Sequence, residues 1–308
     1  MYYFIVNPHA GDGKGLRVWK QVQKLLLRMG EAQNYEVFIT NKSGDAREFS
    51  RKITEKCREN KHIIIIGGDG TLNEAVDGSC LDSDRVFFSL IPTGSGNDFA
   101  RGLYRRQMLR RQLERILNEQ TCTRMDYGVL NAEGLHRRFA VSAGIGFDAA
   151  VFRELFLEQR KMKSGLHLRS RRLLYMFTFL RELKRAKKSR GCVVLDGDQR
   201  MEFNNIIFIT AQVHPYEGGY KLGPQANCAD GYLDLCIVST KRKSRIIRIM
   251  LNAITGHHQK MTGVHLLRCR EAEIHVEEPM QVHTDGESCG ELPDLTLRCV
   301  PGKLLVLG

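Results

Sequence analysis

The sequence predicts an α/β protein with two domains: an open N-terminal domain on a mainly parallel sheet, and a second domain rich in β-strands. Strands alternate with helical patterns over roughly the first 125 residues, as right-handed βαβ units do. After Asp126, strand-like segments dominate instead. A chain of 308 residues is also long enough for two domains, each with its own core.

The first domain, residues 1–126, begins with a buried strand and then alternates helix faces with further strands. In chain order these are the strand Tyr2 to Val6, helical spacing from Leu16 to Met29, the strand Tyr35 to Thr40, a helix face of Ala46, Phe49, Ile53 and Cys57, and the strands Ile63 to Ile66 and Val86 to Ile91. Ligands of an open α/β sheet bind beyond the carboxyl ends of its strands. We therefore expect the functional site in the loops that follow these strands.

The second domain, residues 127–308, is predicted from a run of short apolar segments, the last of which is a candidate to return to the first domain. They are Phe139 to Ala143, Cys192 to Leu195, Asn205 to Ala211, Leu233 to Val238, Glu273 to Val276, Met280 to His283 and Leu304 to Leu307. Two helical insertions, near 148–161 and 170–188, interrupt them. The apolar stretch Leu173 to Leu180 falls far short of the ~20 residues that span a membrane.

The composition of the chain limits which partners and which cell compartment we expect. Lysine and arginine number 47 against 35 acidic residues, and the formal charge of +12 implies an anionic partner: nucleic acid, acidic lipid or phosphate. We expect no nucleic acid, because no helix-turn-helix, zinc-finger or RNP-like aromatic pattern accompanies the basic clusters. The nine cysteines form no C-x-x-C pair, and the N-terminus has no basic signal-peptide region, so we expect reduced thiols and a cytoplasmic protein.

The strongest local motif is a buried strand that ends in a glycine-rich turn and enters a helix. It reads Ile63-Ile64-Ile65-Ile66-Gly67-Gly68-Asp69-Gly70-Thr71. The backbone N–H groups of such a turn, beside a helix N-terminus, form a cradle for phosphate. Asp69 would repel phosphate unless a cation lay between them, so its presence implies Mg²⁺ and metal-assisted phosphoryl transfer. The alternative is a tight turn with a capping aspartate.

Two further polar loops follow the first and fourth strands. Asn7 to Gly15 (NPHAGDGKG) opens a helix but fits neither the Walker A frame nor the dinucleotide frame, so a plain strand–helix turn stays an alternative. Pro92 to Ala100 (PTGSGNDFA) brings glycines, hydroxyls, an amide and a carboxylate together. Because all three loops follow strands of one sheet, we expect them to converge on one cleft.

The order of these motifs resembles the diacylglycerol kinase catalytic family, which includes sphingosine kinases and bacterial lipid kinases. NPxxG, GGDGT followed by LNE, and PTGSGNDFA occur in this order, and two later segments are similar to the family: Asp230-Gly231-Tyr232-Leu233-Asp234-Leu235 and Thr284-Asp285-Gly286-Glu287. The chain departs from the usual pattern at Ala10, where many members have serine. The resemblance implies an α/β nucleotide-binding domain, a β-sandwich lipid-binding domain and an active site between them.

The resemblance also implies roles for individual residues. It implies ATP contacts at Asn7, Gly11, Thr40, Gly67, Gly68, Asp69, Gly70, Thr71, Leu72, Asn73 and Thr93. It implies a structural Mg²⁺ held by Asn227, Asp230 and Tyr232, partly through backbone carbonyls, with Asp126 supporting the ion through water. The expected reaction is transfer of the γ-phosphoryl group of ATP to a lipid hydroxyl, with diacylglycerol as the family's default acceptor and phosphatidic acid as product.

The segment Asp285-Gly286-Glu287 supplies the candidate catalytic carboxylates. Phosphoryl transfer to an alcohol benefits from a carboxylate that accepts the hydroxyl proton, and two carboxylates around a glycine turn can divide base and metal roles. We predict Glu287 as the base, with Asp285 and Asp69 organising metal and phosphate, and leave open whether Asp285 is the base instead. A plain hairpin turn is the alternative, because Asp-Gly between strands is a common turn signal.

Basic clusters suggest how such a kinase reaches a lipid. They are Arg101, Arg105, Arg106, Arg110, Arg111 and Arg115; Lys161, Lys163, Arg169, Arg171 and Arg172; and Lys241, Arg242, Lys243, Arg245 and Arg248. If the first two clusters share a face, they attract anionic lipid by ~1 kcal/mol per basic residue near the surface. We therefore predict peripheral membrane association and leave a homodimer open. The segment Leu173 to Leu180 is predicted to be core, or else part of a lipid-acyl pocket.

Three other functions stay open. The acceptor could be another lipid, such as a sphingoid base or phosphatidylglycerol. NAD kinase is a second alternative, because GGDGT is also similar to the phosphate loop of that family, although PTGSGNDFA and the late DGE favour a lipid kinase. An inactive lipid- or nucleotide-binding module is the third, and the presence of Asp69, Asp285 and Glu287 argues against it.

Overall fold

The chain folds into two compact units. The structure is a computed structural model that describes residues 1–31, 34–55, 59–81, 84–103, 108–118, 122–161 and 168–307. The first unit contains Met1–Tyr127 together with Val300–Gly308, and the second contains Gly128–Cys299. The chain therefore leaves the first unit once and returns to it with its last residues.

Strands and helices alternate in the first unit. They are β1 (Tyr2–Val6), α1 (Ala10–Arg28), β2 (Tyr35–Ile39), α2 (Asp45–Thr54), β3 (Lys61–Gly67), α3 (Asp69–Gly78), β4 (Val86–Pro92), α4 (Asp98–Leu103) and α5 (Leu109–Asn118). Neighbouring strands are parallel in the order β2-β1-β3-β4. The predicted strands and the predicted parallel sheet are confirmed.

The register of this sheet brings the carboxyl ends of β1, β3 and β4 level with one another. Val6 lies opposite Ile66, and Ile66 lies opposite Ile91. The isoleucine run Ile63 to Ile66 is fully buried, and α1, α2 and α3 all contact β3. A central parallel strand covered by helices needs such a continuous apolar run. Consequently the loops that follow these three strands start side by side.

The second unit is dominated by antiparallel strands, two of which continue into the first unit. In chain order the elements are β5 (Cys122–Ala132), β6 (Leu135–Phe139), β7 (Ser142–Gly146), α6 (Phe147–Lys161), α7 (Leu168–Arg185), β8 (Ser189–Leu195), β9 (Gln199–Gln212), β10 (Leu233–Ser239), α8 (Lys243–Ala253), β11 (Val264–Cys269), β12 (Glu271–Thr284) and β13 (Glu287–Leu307). The end of β13 lies in the first unit, where Leu305 pairs in parallel with Phe87 of β4. The start of β5 lies there as well.

The second unit has two apolar layers around its strands. The strands pair in the order β11-β10-β9-β7-β12, and β8 pairs with both β9 and β12. One layer is formed mainly by strand residues, including Ile209 and Leu297. The other packs Phe208 against residues of the three helices, including Phe179 of α7 and Ile249 of α8. The predicted fold class, an open α/β domain followed by a β-sandwich-rich domain, is confirmed.

Two details of the predicted strands are wrong. The segment Phe139 to Ala143 is not one strand, because β6 ends at Phe139 and β7 begins at Ser142. The segments Glu273 to Val276 and Met280 to His283 belong to one long strand, β12, which carries an irregularity in its pairing between His275 and Met280. The break after Phe139 has a physical cause, because the N–H groups there bind a side chain, described below, in place of a strand.

Helix α7 differs from the expectation of core packing for Leu173 to Leu180. Phe179 is buried, as predicted, but Met176, Phe177 and Leu180 are 49%, 71% and 42% exposed. For these three the prediction of core packing is wrong. Periodicity places apolar residues on a helix, but it does not show whether anything covers each face. Within the residues that the structure describes, no helix is long and apolar enough to cross a bilayer.

The shared face of the first two basic clusters stays a prediction, because part of both clusters lies outside the described residues. These are Arg105, Arg106 and Lys163, together with the side chains of Lys161, Arg169, Arg171 and Arg172. The third cluster lies at the start of α8, where Lys243 contacts the Lys184 carbonyl. The described cysteines are free thiols, as expected.

Candidate active site

Three loops of the first unit meet at the carboxyl edge of its sheet. We call them loop 1 (Asn7 to Gly15), loop 2 (Gly67 to Thr71) and loop 3 (Pro92 to Ala100). The Thr93 N–H donates to the Gly67 carbonyl at 2.8 Å, which joins loops 2 and 3. The Asn7 side-chain amide donates to the Thr71 hydroxyl at 3.1 Å, which joins loops 1 and 2. The predicted convergence of the three loops is therefore observed.

Glycines allow these loops to approach one another backbone to backbone. A Cβ atom on Gly94 would lie 2.5 Å from Gly68 Cα, well inside the distance that real Cβ atoms keep. Gly11 allows the same close approach between loops 1 and 3, because a Cβ atom on Gly11 would lie 2.2 Å from the Thr93 carbonyl oxygen. A side chain at either position would separate the loops. The glycines of these motifs are thus required by packing within the site itself.

Loop 1 is shaped by Asn7. Its Oδ1 accepts the N–H groups of His9 and Ala10, each at 3.1 Å. Three successive residues, Gly11, Asp12 and Gly13, then have left-handed φ angles of 56°, 57° and 77°, so the regular part of α1 begins only after them. Asn7 is therefore bound to protein atoms through both ends of its side-chain amide. Its contact with a nucleotide stays a prediction.

Asp69 connects loop 2 to the start of α4. Its Oδ2 accepts the Asp98 N–H at 3.0 Å, and its Oδ1 accepts the Phe99 N–H at 3.1 Å. Burial raises the pKa of Asp69, while these N–H groups act to lower it. The N–H groups of Asn97 and of Asp69 itself also act to lower its pKa, so backbone donors surround the carboxylate, and its contact with a metal ion stays a prediction. Asp69 is thus both a link between the loops and a candidate metal ligand.

The other predicted nucleotide contacts differ in accessibility. Four side chains are almost fully buried, with exposed fractions of 6% for Thr40, 1% for Leu72 and 0% for Asn73 and Thr93. The half-buried residues of loop 2 are Gly68, Asp69 and Gly70. A nucleotide can therefore reach this loop most directly through its backbone N–H groups, as a phosphate cradle requires. At the four buried positions, contact with the nucleotide stays a prediction, and backbone atoms are the groups that would make it.

Glu74 is a residue of this region whose role the sequence did not indicate. It lies on α3, three residues after Thr71, and its carboxylate reaches the start of α2. Oε1 accepts the Ser43 hydroxyl at 3.0 Å and the Gly44 N–H at 2.7 Å, while Oε2 accepts the Ala46 N–H at 3.2 Å. A carboxylate at a helix N-terminus satisfies N–H groups that otherwise have no intrahelical acceptor. Glu74 thereby fixes α3, and with it loop 2, against α2.

In the second unit, Asp285 and Gly286 form the two-residue turn between β12 and β13. Their φ angles are 49° and 84°, and Thr284 pairs with Glu287 across the turn. Two positive φ angles define the tight hairpin turn that Asp-Gly favours. The Asp285 carboxylate accepts three backbone N–H groups at 2.8 Å each, those of Ala140, Val141 and Ser142. The segment therefore has the structure of a hairpin turn, as the alternative predicted. The Asp285 side chain also anchors this turn to the backbone of residues 140–142.

A buried cluster of three ionisable side chains lies behind this turn. His283 is 0% exposed, and its Nε2 lies 3.3 Å from both Asp148 Oδ2 and Glu217 Oε1. Glu217 Oε2 also accepts the Thr210 hydroxyl at 2.5 Å and a contact from the Gln212 amide. His283 Nδ1 faces the turn, where the Gly286 N–H donates to it at 3.1 Å. No pattern in the sequence points to a role for these three residues.

Charge is distributed unevenly within the buried cluster. Burial raises the pKa of Asp148, against the lowering effect of His283. Burial acts the same way on Glu217, but hydrogen bonds from His283, Thr210 and Gln212 outweigh it and lower the pKa of Glu217. For His283, burial acts to lower the pKa, but Asp148 and Glu217 outweigh burial and raise the pKa to about 10. Of the two carboxyl groups, Glu217 is therefore the stronger acid.

The predicted metal turn has side chains that already have protein partners. Asp230 Oδ1 accepts the Tyr232 N–H at 3.1 Å, and Oδ2 lies 2.5 Å from Arg268 Nη2. The Arg268 guanidinium also stacks 4.4 Å from the centre of the Tyr232 ring. Asn227 Oδ1 accepts the Ala229 N–H at 3.2 Å. The Arg268 guanidinium thus stands at Asp230, and a metal ion held by Asn227, Asp230 and Tyr232, partly through backbone carbonyls, stays a prediction.

Asp126, the fourth residue of the predicted metal set, lies in the first unit. Its Oδ1 accepts the Gly302 N–H at 2.8 Å. Gly302 belongs to the returning end of the chain, so Asp126 helps to hold β13 in the first unit. A water-mediated contact from Asp126 to a metal stays a prediction.

Two family models match the chain. Residues 1–130 match the diacylglycerol kinase catalytic domain, and residues 142–308 match the YegS C-terminal NAD kinase beta sandwich-like domain. An open α/β unit with converging glycine loops, followed by a β-sandwich-like unit, defines a kinase of the kind that these two models describe. The chain belongs to the diacylglycerol kinase family and is a lipid kinase of that type.

Relatives from Bacillus subtilis (strain 168) support this membership over nearly the whole chain. The "Putative lipid kinase YtlR" is 32% identical over 301 residues, which cover 95% of this chain and 94% of the relative. A diacylglycerol kinase from the same strain is 27% identical over 292 residues, which cover 94% of this chain and 90% of the relative.

Solved structures share the fold at lower sequence identity. A diacylglycerol kinase from Bacillus anthracis str. Sterne has a TM-score of 0.70 at 20% identity, covering 99% of this chain and 96% of that chain. An NAD kinase from Archaeoglobus fulgidus in complex with ATP has a TM-score of 0.52 at 12% identity, covering 100% and 94%. The fold is therefore common to lipid kinases and NAD kinases, and it does not by itself identify the molecule that accepts the phosphoryl group.

Proposed function

We propose that this lipid kinase transfers the γ-phosphoryl group of ATP to the free hydroxyl of diacylglycerol, giving phosphatidic acid and ADP. The observation that carries the proposal is the meeting of loops 1, 2 and 3 at one edge of the sheet, with the Asp69 carboxylate among them. The neighbouring NAD kinase structure contains ATP, which supports a nucleotide at this kind of fold. Several relatives are named diacylglycerol kinase, which supports the acceptor.

The first unit supplies the nucleotide cradle in this proposal. N–H groups of loop 2 and the N-terminus of α3 bind the phosphates, because unpaired N–H groups and the helix dipole both attract anions. Asp69 would hold Mg²⁺, which neutralises charge on the transferring phosphoryl group. The Asn7 to Thr71 bond and the contact of Gly68 with Gly94 keep the three loops at fixed separations.

The second unit supplies the base. Glu287 is the first residue of β13, is half-buried, and follows a turn that Asp285 anchors with three hydrogen bonds. In the proposed step a carboxylate oxygen of Glu287 accepts the proton of the lipid hydroxyl. The hydroxyl oxygen then forms a bond to the γ-phosphorus as the bond to the ADP oxygen breaks. Since both Asp285 oxygens bind backbone N–H groups, we assign the base to Glu287 and the support of the turn to Asp285.

Association with anionic membrane is part of the proposal. The formal charge of +12 would attract the protein to anionic lipid, and the exposed Met176, Phe177 and Leu180 of α7 offer apolar contact. We also propose a cytoplasmic enzyme that meets the membrane peripherally.

A phosphorylation assay tests the proposed function. Labelled ATP is incubated with diacylglycerol, phosphatidylglycerol or a sphingoid base in mixed micelles, or with NAD in solution, each with and without Mg²⁺. We expect Mg²⁺-dependent labelling of diacylglycerol, lost in the Asp69→Ala and Glu287→Gln variants. Glu273→Gln, which changes an exposed carboxylate on β12, serves as the control and should leave labelling unchanged.

Each outcome of this assay separates two functions. Labelling of NAD in place of lipid would make the protein an NAD kinase, and labelling of a sphingoid base or phosphatidylglycerol would replace the proposed acceptor. Binding of lipid and ATP without any labelled product would indicate an inactive module. Unchanged turnover in Glu287→Gln would overturn the assignment of the base.

A further inference from the structure

The buried cluster of Asp148, Glu217 and His283 is not used by the proposed reaction, yet it contacts the turn that carries the proposed base. The Gly286 N–H donates to His283 Nδ1 at 3.1 Å. The Phe152 ring lies 5.0 Å from the His283 ring, and a Cβ on Gly286 would lie 3.6 Å from a Phe152 ring carbon. One buried ring therefore supports the turn from behind.

The contact with Gly286 fixes which nitrogen of the ring carries a proton. Because Nδ1 accepts a backbone N–H, it carries no proton, and the ring N–H is on Nε2. Nε2 lies 3.3 Å from an oxygen of Asp148 and of Glu217, so both carboxyl groups are within reach of that proton. A doubly protonated ring would direct two N–H groups at each other across the 3.1 Å contact. The Gly286 contact thus opposes the second ring proton that the two carboxylates favour, and it assigns the single ring proton to Nε2.

The backbone of β7 lies so close to Asp148 and His283 that it has no room for a side chain at Gly144. Gly144 pairs with His283 across β7 and β12. A Cβ on Gly144 would lie 2.3 Å from Asp148 Oδ2 and 2.7 Å from His283 Nε2. A residue other than glycine would therefore displace the pair. Glu217 is held in turn by Thr210 and Gln212, so the ring has a fixed partner on that side as well.

A metal ion is the alternative occupant of the cluster. One ligand atom from each of the three residues lies within 4.8 Å of the others. A neutral histidine that binds a metal through Nε2 carries its proton on Nδ1 and donates it to an acceptor. Here Nδ1 meets a donor, the Gly286 N–H. The geometry therefore favours a shared proton over a metal ion.

We propose that His283 is a positioning residue, which fixes the Asp285–Gly286 turn by accepting the Gly286 N–H at Nδ1 while Asp148 and Glu217 hold its Nε2 proton. Glu287 follows this turn directly, so a rotation of the ring shifts the carboxylate that takes the hydroxyl proton. The inference rests on the proposed function only in the identity of that base.

Two substitutions separate the two ends of the ring. His283→Asn keeps an oxygen near the Nδ1 position and so retains an acceptor for Gly286, whereas His283→Gln keeps an amide donor near the carboxylates and loses the acceptor. We expect His283→Asn to keep kcat for lipid within about 3-fold, and His283→Gln to lower kcat ~10- to 100-fold, both with an unchanged KM for ATP. Equal losses in kcat, or a change confined to the KM for ATP, would overturn the inference.

The tautomer of His283 is a second readout, which needs no substitution and no activity. Nitrogen NMR of the ¹⁵N-histidine protein, with the ring assigned through its contact with Phe152, should show an unprotonated Nδ1 and a protonated Nε2. A protonated Nδ1 or a metal-bound Nε2 would overturn the inference. If the proposed function fails, the wild-type protein labels no lipid but keeps this tautomer. If the positioning role fails, the protein labels lipid while the two variants behave alike.

Discussion

The side-chain amide of Asn7 donates a hydrogen bond to the hydroxyl of Thr71 at 3.1 Å, and this bond joins the first and second loops of the candidate nucleotide site. The oxygen of the same amide accepts two N–H groups of its own loop. One side chain thus fixes both the shape of loop 1 and its distance from loop 2.

Replacing Asn7 tests whether this link shapes the nucleotide site. Asn7→Ala removes three hydrogen bonds, and we expect it to lower the free energy of unfolding by about 1–3 kcal/mol and to weaken ATP binding. Urea denaturation and calorimetric titration with ATP measure the two effects. Thr71→Ser keeps the acceptor hydroxyl and should change both quantities much less. Unchanged ATP affinity in Asn7→Ala would show that loop 1 is not part of the nucleotide site.

Gly94→Ala tests the backbone contact between loops 2 and 3. Its Cβ would lie 2.5 Å from Gly68 Cα, so the loops must move apart. We expect a loss of about 1–3 kcal/mol in stability from overpacking, together with weaker ATP binding. Ser95→Ala changes an exposed neighbour in the same loop and serves as the stability control. Denaturation midpoints that are equal for the two variants would contradict the observed packing.

The convergence of the loops could be predicted from the sequence, whereas the partners of individual carboxylates could not. Apolar runs such as Ile63 to Ile66 predict parallel strands, and parallel strands end at one edge of their sheet. The loops that follow them therefore meet, independently of the loop side chains. Asp285, in contrast, binds N–H groups of Ala140, Val141 and Ser142, more than a hundred residues away. Nothing in the local pattern around Asp285 specifies such partners.

The buried cluster and α7 illustrate the same limit in different ways. Asp148, Glu217 and His283 are isolated polar residues in the sequence, and the packing of α6 against β12 brings Asp148 and His283 together. In α7 the apolar character of Phe177 and Phe179 is the same in the sequence, but one side chain is exposed and the other buried. Periodicity gives the faces of a helix, while tertiary packing decides which face is covered.

Asp285→Asn tests the anchoring of the DGE turn. The amide group replaces one carboxylate oxygen and places a donor against a backbone donor, so we expect a loss of about 2–4 kcal/mol in stability. Asparagine tolerates left-handed backbone angles such as the 49° of Asp285, so strain adds little. Asp12→Asn, at an exposed position with a φ of 57°, is the matched control. Similar urea midpoints for both variants would refute the anchoring role.

The half-buried His62 and the buried His214 predict a loss of stability in mild acid. Burial lowers the pKa of each to about 4 in the folded protein, from 6.5. The unfolded chain therefore binds protons that the folded chain excludes, so stability is complete above pH 6.5 and falls as the pH decreases towards 4. Each histidine should cost about 2 kcal/mol between pH 7 and pH 5, measured by urea denaturation. His62→Asn should reduce this pH-dependent loss, and an undiminished loss would contradict the assignment.

The exposed apolar residues of α7 predict a contribution to membrane binding. Phe177 is 71% exposed and lies beside Met176, which is 49% exposed. Burial of a phenylalanine side chain in lipid is worth about 1.5–3 kcal/mol, so Phe177→Glu should weaken binding to phosphatidylglycerol vesicles by at least ~10-fold in a sedimentation assay. Leu27→Glu alters a leucine that is 70% exposed on α1, and it is the matched control. Equal binding by the two variants would mean that charge alone brings the protein to the membrane. A selective loss in Phe177→Glu, with unchanged phosphorylation of a short-chain water-soluble diacylglycerol, would place α7 at the lipid surface and leave the chemistry with Asp69 and Glu287.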